Sequence, residues 1–554
     1  MLFYSVEFIF IFLPLFFLIF LVLHKTNYIL PLIIISSLIF YAIWDYRFLS
    51  LLFLSISINY LLLIKINKNK LALTLGILIN LLILFFFKYT NFFLNEVLQT
   101  DINYLKKIIL PLGISFFTFQ QISCLVDGYN NKIKLYGFYK YLAYVSFFPQ
   151  LIAGPIVRYN EVIEQFNIIE KVKKLNWENI NLGLILFIIG IFKKVFFANN
   201  FGNVVDNYFL QIANGNFYNA LHYWYLIYNF ALQIYFDFSA YSDMALGLGL
   251  IIGINLPINF NSPYKSLNII DFWRSWHISL SFFFRDYLYI ALGGNKNKFY
   301  FKFILIIFVM TIAGLWHGAN WTFLIWGLIH GIYVCLTHII LKLNKKYFID
   351  LSGQIKFFLI FKIIILILFF VFLFLFIYII LNFLFINIIV NNNNFFNNKF
   401  LYIFSILLIF YIFYINFRKE NFLNLPFNFF AIFLNFTIVA YLFIIFRSNS
   451  IDEAFLITSS LLSFTDFDIT GFIANKFWFK FITYNFELLI FILGLIVIFC
   501  CPNSNQFLKI YKDNILLRKP LNVFFNISLG SLFGLSIILI IKSKNIEPFI
   551  YFIF

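Results

Sequence analysis

Phe272-Trp273-Arg274-Ser275-Trp276-His277 and Gly314-Leu315-Trp316-His317-Gly318-Ala319-Asn320-Trp321 are two histidine-centred patches set in strongly apolar sequence. Apolar runs at about 301–315 and 321–341 flank the second patch and read as membrane-crossing helices, since roughly 20 apolar residues span a ~30 Å hydrocarbon core. Ionisable groups at that depth are costly. An Arg or Asp at mid-membrane costs on the order of 3 kcal/mol on insertion scales, and polar groups kept there face a protein interior or a wet cavity. Histidine is also the side chain whose charge changes most readily near neutral pH. The pair reads as the floor of a reaction tunnel through a membrane enzyme.

The composition agrees. The chain of 554 residues is 63% hydrophobic and 11% charged, which excludes a set of soluble domains. Its mean hydropathy is +0.93. The 85 phenylalanines, with abundant Ile, Asn and Lys, suggest an A/T-rich coding bias in which Phe and Ile face lipid. A net charge of +17 would suggest nucleic acid in a soluble protein. Here the lysines read as sitting in short loops between spans, as cytoplasmic topology determinants, and no basic–aromatic interleaving suits a nucleic acid. Cys124, Cys335, Cys500 and Cys501 have no metal-ligand spacing, so no metal site is expected. The first apolar run, 8–23, lacks a basic leader and a small-residue cleavage site, so it is expected to stay as a span.

Outward from the patches, spans are predicted at 8–23, 29–44, 48–63 and 71–87. The loop Lys65-Ile66-Asn67-Lys68-Asn69-Lys70 is basic and hence cytoplasmic, which puts the N-terminus outside. From 90 to 177 the apolar runs are short and broken by Pro111, Gly113, Gly128, Pro149, Gly154 and Pro155. Short or re-entrant helices buried in protein are expected there. A span at 182–197 carries Lys193 and Lys194 near its end, and another covers 223–236. An amphipathic helix over 269–291 is expected after an N-cap at Ser266 or Asn268, ending at Gly293-Gly294. Region 357–390 is too long for one straight crossing, and 391–398 is Asn-rich. Further spans are expected at 401–417, 424–446, 486–501 and 523–541. The total is about eleven to fourteen crossings. The chain divides into N-terminal spans (1–90), a core holding both patches (105–342) and C-terminal spans (357–554), all within one integral membrane domain.

Arg274 and His277 are three apart and would share a helix face, with Ser281 continuing it. Gly314 and Gly318 form a small-xxx-small pattern that lets helices approach closely. On that reading alone His317 could equally be a satisfied core residue of a packing motif. Two histidine patches with flanking Trp and Arg favour function. A neutral imidazole can take a proton from a hydroxyl as that hydroxyl attacks an acyl thioester, while Arg274 or Asn320 steadies the developing oxyanion. His24, His222, His330 and His338 read as interfacial or packing residues. Asp237 and Asp243 read as buried anchors rather than proton carriers, Asp127 as structural, and Arg285-Asp286 as an internal pair.

At these residues the chain resembles the membrane-bound O-acyltransferases, and most nearly the alginate O-acetyltransferase membrane-subunit type. Relatives of that type include the peptidoglycan O-acetyltransferase membrane component and the D-alanyl transfer protein of teichoic acid synthesis. The matching pieces are Pro111 to Gln120, Phe148 to Arg158, Tyr235 to Leu248, Phe272 to Ser281, Phe284 to Asn295, Gly314 to Trp321 and the ending Pro548 to Phe554. The resemblance implies a ring of transmembrane helices with short re-entrant and interfacial helices around a central funnel, in the bacterial cytoplasmic (inner) membrane. It implies that His317 is the active histidine and His277 the second polar position. By the same analogy no cofactor is bound, and the donor is a cytoplasmic acyl thioester such as acetyl-CoA. The acceptor is a cell-surface glycan, reached directly or through an extracytoplasmic acetyltransferase partner. Two other classes compete. One is a proton-coupled transporter using His277, His317, Asp237 and Asp243, although no inverted repeat is visible. The other is a non-catalytic scaffold.

Overall fold

The computed structural model describes residues 1–99, 108–172, 174–215, 220–296, 298–347, 424–461, 481–516, 521–542 and 549–550. All regular structure among them is helical, so backbone polar groups close within each segment, as a hydrocarbon surrounding requires. Six helices among the described residues are long and apolar enough to cross a membrane, or seven if the bent pair Phe486–Cys500 + Ser504–Asp513 is one span. Phe8–Leu23, Ile29–Asp45 and Ile527–Lys542 are shorter apolar helices. The protein is a multi-pass all-α membrane protein, as its hydropathy predicts. The long apolar region 357–390, the Asn-rich loop and the expected span 401–417 lie outside the described residues, as does part of the expected crossing count.

Four helices open the chain: α1 (Phe8–Leu23), α2 (Ile29–Asp45), α3 (Arg47–Ile64) and α4 (Lys70–Val97). Helix α4 does not end at 87 as expected. It runs on through π-helical turns at Phe85–Tyr89 and Phe93–Val97, each of which lets the ladder absorb an extra residue. Lys88 is therefore carried inside the helix. Helices α3 and α4 are joined by a buried amide pair, with Asn80 Nδ2 donating to Asn59 Oδ1 at 2.6 Å.

The interrupted region forms α5 (Ile114–Tyr129), α6 (Phe138–Ser146), α7 (Phe148–Leu151) and α8 (Tyr159–Val172). A Cβ on Gly128 would touch side chains of Leu63 and Ile66. The end of α5 thus lies level with the basic 65–70 loop, and Lys132 and Lys134 join the same face. The chain then turns inward and comes back. Tyr136 N donates to Tyr159 Oη at 3.2 Å, while between them Phe148 N donates to Ser37 Oγ at 3.1 Å, midway along α2. This is the short re-entrant arrangement that Pro149, Gly154 and Pro155 predict.

Helices α9 (Trp177–Ala213) and α10 (Ala220–Ile252) pack closely through glycines. A Cβ on Gly183 would stand 2.5 Å from Gly247 O. The expected span 182–197 is part of the longer α9, and Lys193 and Lys194 are not at its end. A π-helical turn, Lys193–Ala198, sits mid-helix, and both lysines are turned into the protein. Lys194 Nζ lies 2.9 Å from Asp237 Oδ1, with both side chains almost fully buried. Lys193 Nζ lies 2.7 Å from Asp243 Oδ2, which also accepts from Ser504 Oγ at 2.5 Å. Neither lysine marks topology. Asp237 and Asp243 are anchors, as their setting suggests. Asp237 Oδ2 also accepts from Ile550 N at 2.8 Å, tying the end of the chain into the core.

Candidate active site

The 269–291 stretch is not one helix. Helix α11 (Ile269–Ser275) is capped by Asn268, whose Oδ1 accepts from Asp271 N at 3.0 Å. Trp276 is extended and His277 is left-handed, with φ 42°. Helix α12 (Ile278–Phe283) then starts, followed by a π-helical turn, Phe284–Tyr289. The break overturns the expected shared face. Arg274 is 73% exposed and pairs with Asp271 at 3.2 Å, whereas His277 is fully buried. Arg274 is not brought to the histidines.

Asn259 explains the break. Its backbone carbonyl accepts from Ile278 N at 3.0 Å. Its Oδ1 accepts from Ser279 N at 3.3 Å, from Ser279 Oγ at 2.8 Å and from His277 Nδ1 at 3.1 Å. Ser279 Oγ in turn accepts from Ile156 N at 2.9 Å, tying the turn to the re-entrant segment. A non-glycine residue in left-handed backbone costs about 1–3 kcal/mol and persists only where its surroundings over-determine it. These bonds do so. They also assign the imidazole tautomer: Oδ1 can only accept, so a neutral His277 carries its proton on Nδ1 and presents a lone pair at Nε2.

His317 is the last residue of α13 (Phe299–His317), and α14 (Trp321–Tyr347) follows after a short turn. The two helices meet at glycines. A Cβ on Gly314 would be 2.3 Å from Phe323 O, and one on Gly327 would be 2.4 Å from Met310 O. At Gly318 a Cβ would stand 2.0 Å from the Phe323 ring. The close-packing reading is thus realised, and the packing motif fixes where the histidine at its end is held.

The His317 ring is buried, with its centroid 5.0 Å from Trp316, 5.5 Å from Trp326 and 5.3 Å from Phe446. Trp316 is 6.1 Å from His277. One indole therefore touches both imidazoles, and the two sequence patches converge. His330 joins them at 4.6 Å from Trp326 and 5.3 Å from Trp273. Several buried polar atoms in this cluster have no hydrogen-bond partner among the described residues: Nε1 of Trp273, Trp316 and Trp326, Nε2 of His277, both ring nitrogens of His330, and Asn259 Nδ2. A dry unsatisfied donor costs about 1–3 kcal/mol. Among the described residues the indole N–H groups and Asn259 Nδ2 are free donors and His277 Nε2 a free acceptor, so the interior suits a polar ligand that both accepts and donates.

At the far end of α13, Lys88 Nζ donates to the carbonyls of Trp316 and His317, the latter at 3.2 Å, and Tyr89 Oη donates to Leu315 O at 3.0 Å. Two open clefts lie beside this end. One, of about 340 Å³, is lined by residues including Lys88, Asn320, Phe446 and Arg447. The other, of about 410 Å³, includes Asn91, Glu96, Asn320, Trp321 and Asp452. Asn320 lies on both and donates to Asn449 O at 3.0 Å. By the positive-inside reading of the 65–70 loop, these clefts face the outside.

On the opposite side, Arg158 pairs with Asp286, which Arg285 Nε also reaches at 2.6 Å. Burial raises the Asp286 carboxyl, but hydrogen bonds from Arg285 and Arg158 outweigh it and hold the group below the usual carboxylate range. Tyr287 Oη donates to Asp127 Oδ2 at 2.6 Å, so Asp127 is structural. Among the described residues no three His, Cys, Asp or Glu side chains group to hold a metal ion.

Three residues of this site escape sequence reasoning. Asn259 sits in a loop with no periodic signal. His330 looks like one more apolar-helix histidine. Lys88 did carry a signal, a lone lysine in Phe85-Phe86-Phe87-Lys88-Tyr89, but placing the span end at 87 put it outside the membrane.

The family model for the membrane-bound O-acyltransferase family matches residues 62–381. The peptidoglycan O-acetyltransferase of Helicobacter pylori is 43% identical over 363 residues, 59% of this chain and 68% of that protein. The probable alginate O-acetylase AlgI of Azotobacter vinelandii is 39% identical over 350 residues, 61% of this chain and 68% of that protein. More distant is the teichoic acid D-alanyltransferase of Bacillus subtilis, 29% identical over 254 residues, 43% of this chain and 62% of that protein.

Proposed function

The chain belongs to the membrane-bound O-acyltransferase family and is an acyltransferase, and from that premise we propose that it moves acetyl groups from a cytoplasmic acyl thioester across the membrane to hydroxyls of a cell-surface glycan. The acceptor is an alginate-like exopolysaccharide or peptidoglycan. The names of the more similar relatives support acetyl as the group transferred. The protein works from the bacterial inner membrane with an extracytoplasmic acetyltransferase as partner.

The observation that carries the proposal is the meeting of His277 and His317 across Trp316, with His317 buried at a helix end beside the clefts. His317 acts as general base. It takes the proton of the attacking hydroxyl while the new C–O bond forms, the C–S bond breaks, and the proton passes to the departing thiolate. The indole N–H groups and Asn259 Nδ2 offer donors to the amide and thioester oxygens of the donor's linear arm. Asn320, on the cleft side, contacts the acceptor. His277, its Nε2 lone pair left free by the Asn259 bond to Nδ1, orients polar groups on the donor side.

The transporter reading loses its relay, because Asp237 and Asp243 are held by Lys194 and Lys193. The test is His317→Ala expressed in a strain lacking the native gene, with O-acetyl groups of the wall and exopolysaccharide released by alkali and quantified. Loss of acetylation at a normal level of inserted protein is expected. Acetylation at the parental level would overturn the proposal. The same level in a His277→Ala/His317→Ala double variant would favour a scaffold.

A further inference from the structure

We propose that Lys88 is a positioning residue for His317: its ammonium clamps the two carbonyls that end α13 and so fixes the imidazole between the aromatic cluster and the outer cleft. The proposal rests on the reading of His317 as the active histidine.

The last carbonyls of a helix have no intrahelical donor and carry the negative end of the helix dipole. In α13 these groups are not left to solvent alone but meet side chains of α4. Lys88 Nζ donates to the carbonyls of Trp316 and His317, and Tyr89 Oη takes the next one back, Leu315 O. The ammonium also stands 5.6 Å from the centre of the Trp316 ring, the ring that touches both imidazoles. No carboxylate pairs with it among the described residues.

That setting is unusual for a lysine so placed, since burying a lone cation is costly. A neutral Gln or Ser could cap one carbonyl at far lower cost. An ammonium has three donors and a full charge. Two donors serve the helix end, and Lys88 lines the 340 Å³ cleft shared with Asn320. The arrangement suits a residue that must grip consecutive carbonyls of one turn and hold the side chain between them and the cleft. The π-helical turn Phe85–Tyr89 puts Lys88 and Tyr89 in reach of α13 together.

The experiment compares Lys88→Met, Lys88→Gln and Lys88→Arg with the parent and with His317→Ala. Each is purified as the full chain in lipid nanodiscs with its extracytoplasmic partner. Acetyl-CoA serves as donor probe and soluble peptidoglycan fragments as acceptor probe. Misplacement of a reacting group by ~1 Å costs on the order of 10²-fold in rate, so a fall of that order in kcat per folded molecule is expected for Lys88→Met. KM for acetyl-CoA should stay near the parental value, and Lys88→Arg should recover most of kcat. A merely structural lysine would lower yield and thermal stability and leave kcat per folded molecule intact. If Lys88→Met cannot be purified, Lys88→Gln carries the same expectation. A neutral variant turning over at the parental kcat while His317→Ala is inert overturns this proposal alone. If His317→Ala is active as well, the reading of His317 falls and this proposal with it.

Discussion

Asn259 shows how much one side chain can decide. Its amide oxygen collects three donors from residues 277–279 and holds His277 in left-handed backbone. The break this makes buries His277 and leaves Arg274 exposed, so one loop residue separates two neighbours that helical spacing would have put on one face. Asn259→Ala would strand three buried donors at about 1–3 kcal/mol for each left unmet. The expected result is a clearly lower unfolding temperature in detergent, together with a drop in acetyl transfer. An unchanged melting temperature and rate would mean that the turn is held by other contacts. His277 and His317 themselves were legible in the sequence, because histidine flanked by tryptophan in an apolar chain is conspicuous. Asn259 was not, because its role depends on what lies opposite it, and a loop asparagine has no pattern to betray that.

At the scale of elements, the departures from expectation cluster at π-helical turns. Three of them, at 85–89, 193–198 and 284–289, carry a charged residue into contact with another element: Lys88 to the end of α13, Lys193 and Lys194 to α10, and Asp286 to Arg158. An added residue in a turn rotates every later side chain of that helix, so hydropathy windows that assume regular spacing misplace such charges. The Arg158–Asp286 tie makes a pH prediction. The folded carboxyl lies below its unfolded value, so its contribution to stability is fully present above the ordinary carboxylate range and lost as pH falls through the folded value. The unfolding temperature of Asp286→Asn should therefore lie below the parent at neutral pH. The gap should narrow as pH drops below about 4, near the unperturbed Asp value. A gap that stays constant with pH would show that the charge on Asp286 adds nothing.

For the whole molecule, orientation is the property that function needs most. The 65–70 loop, Lys132 and Lys134 lie towards one face and the clefts beside Asn320 towards the other; Lys296 precedes the start of α13, the end opposite those clefts. Cysteines introduced at Lys296 and Asn320, in a chain whose four native cysteines (Cys124, Cys335, Cys500 and Cys501) are replaced by Ser, should label from opposite sides. A membrane-impermeant maleimide added to intact cells with a permeable outer membrane should reach position 320 and miss position 296. The reverse pattern would invert the direction of transfer.

The sequence by itself determined that this is a multi-pass helical membrane protein, that 90–177 is interrupted, and that residues 272–277 and 314–321 each set a histidine beside tryptophan in apolar surroundings. Those properties follow from side-chain chemistry summed along the chain, and no partner is needed to read them. The tertiary structure decided which polar residues meet: Lys88 with the end of α13, Asn259 with His277, His330 with the tryptophans, and Lys193 and Lys194 with their aspartates. In a lipid-bounded interior a buried polar group left without a partner is costly, and the partners found here lie on segments far apart in the chain. Composition and periodicity record what each segment requires. Only the packing of one helix on another records where that requirement is met.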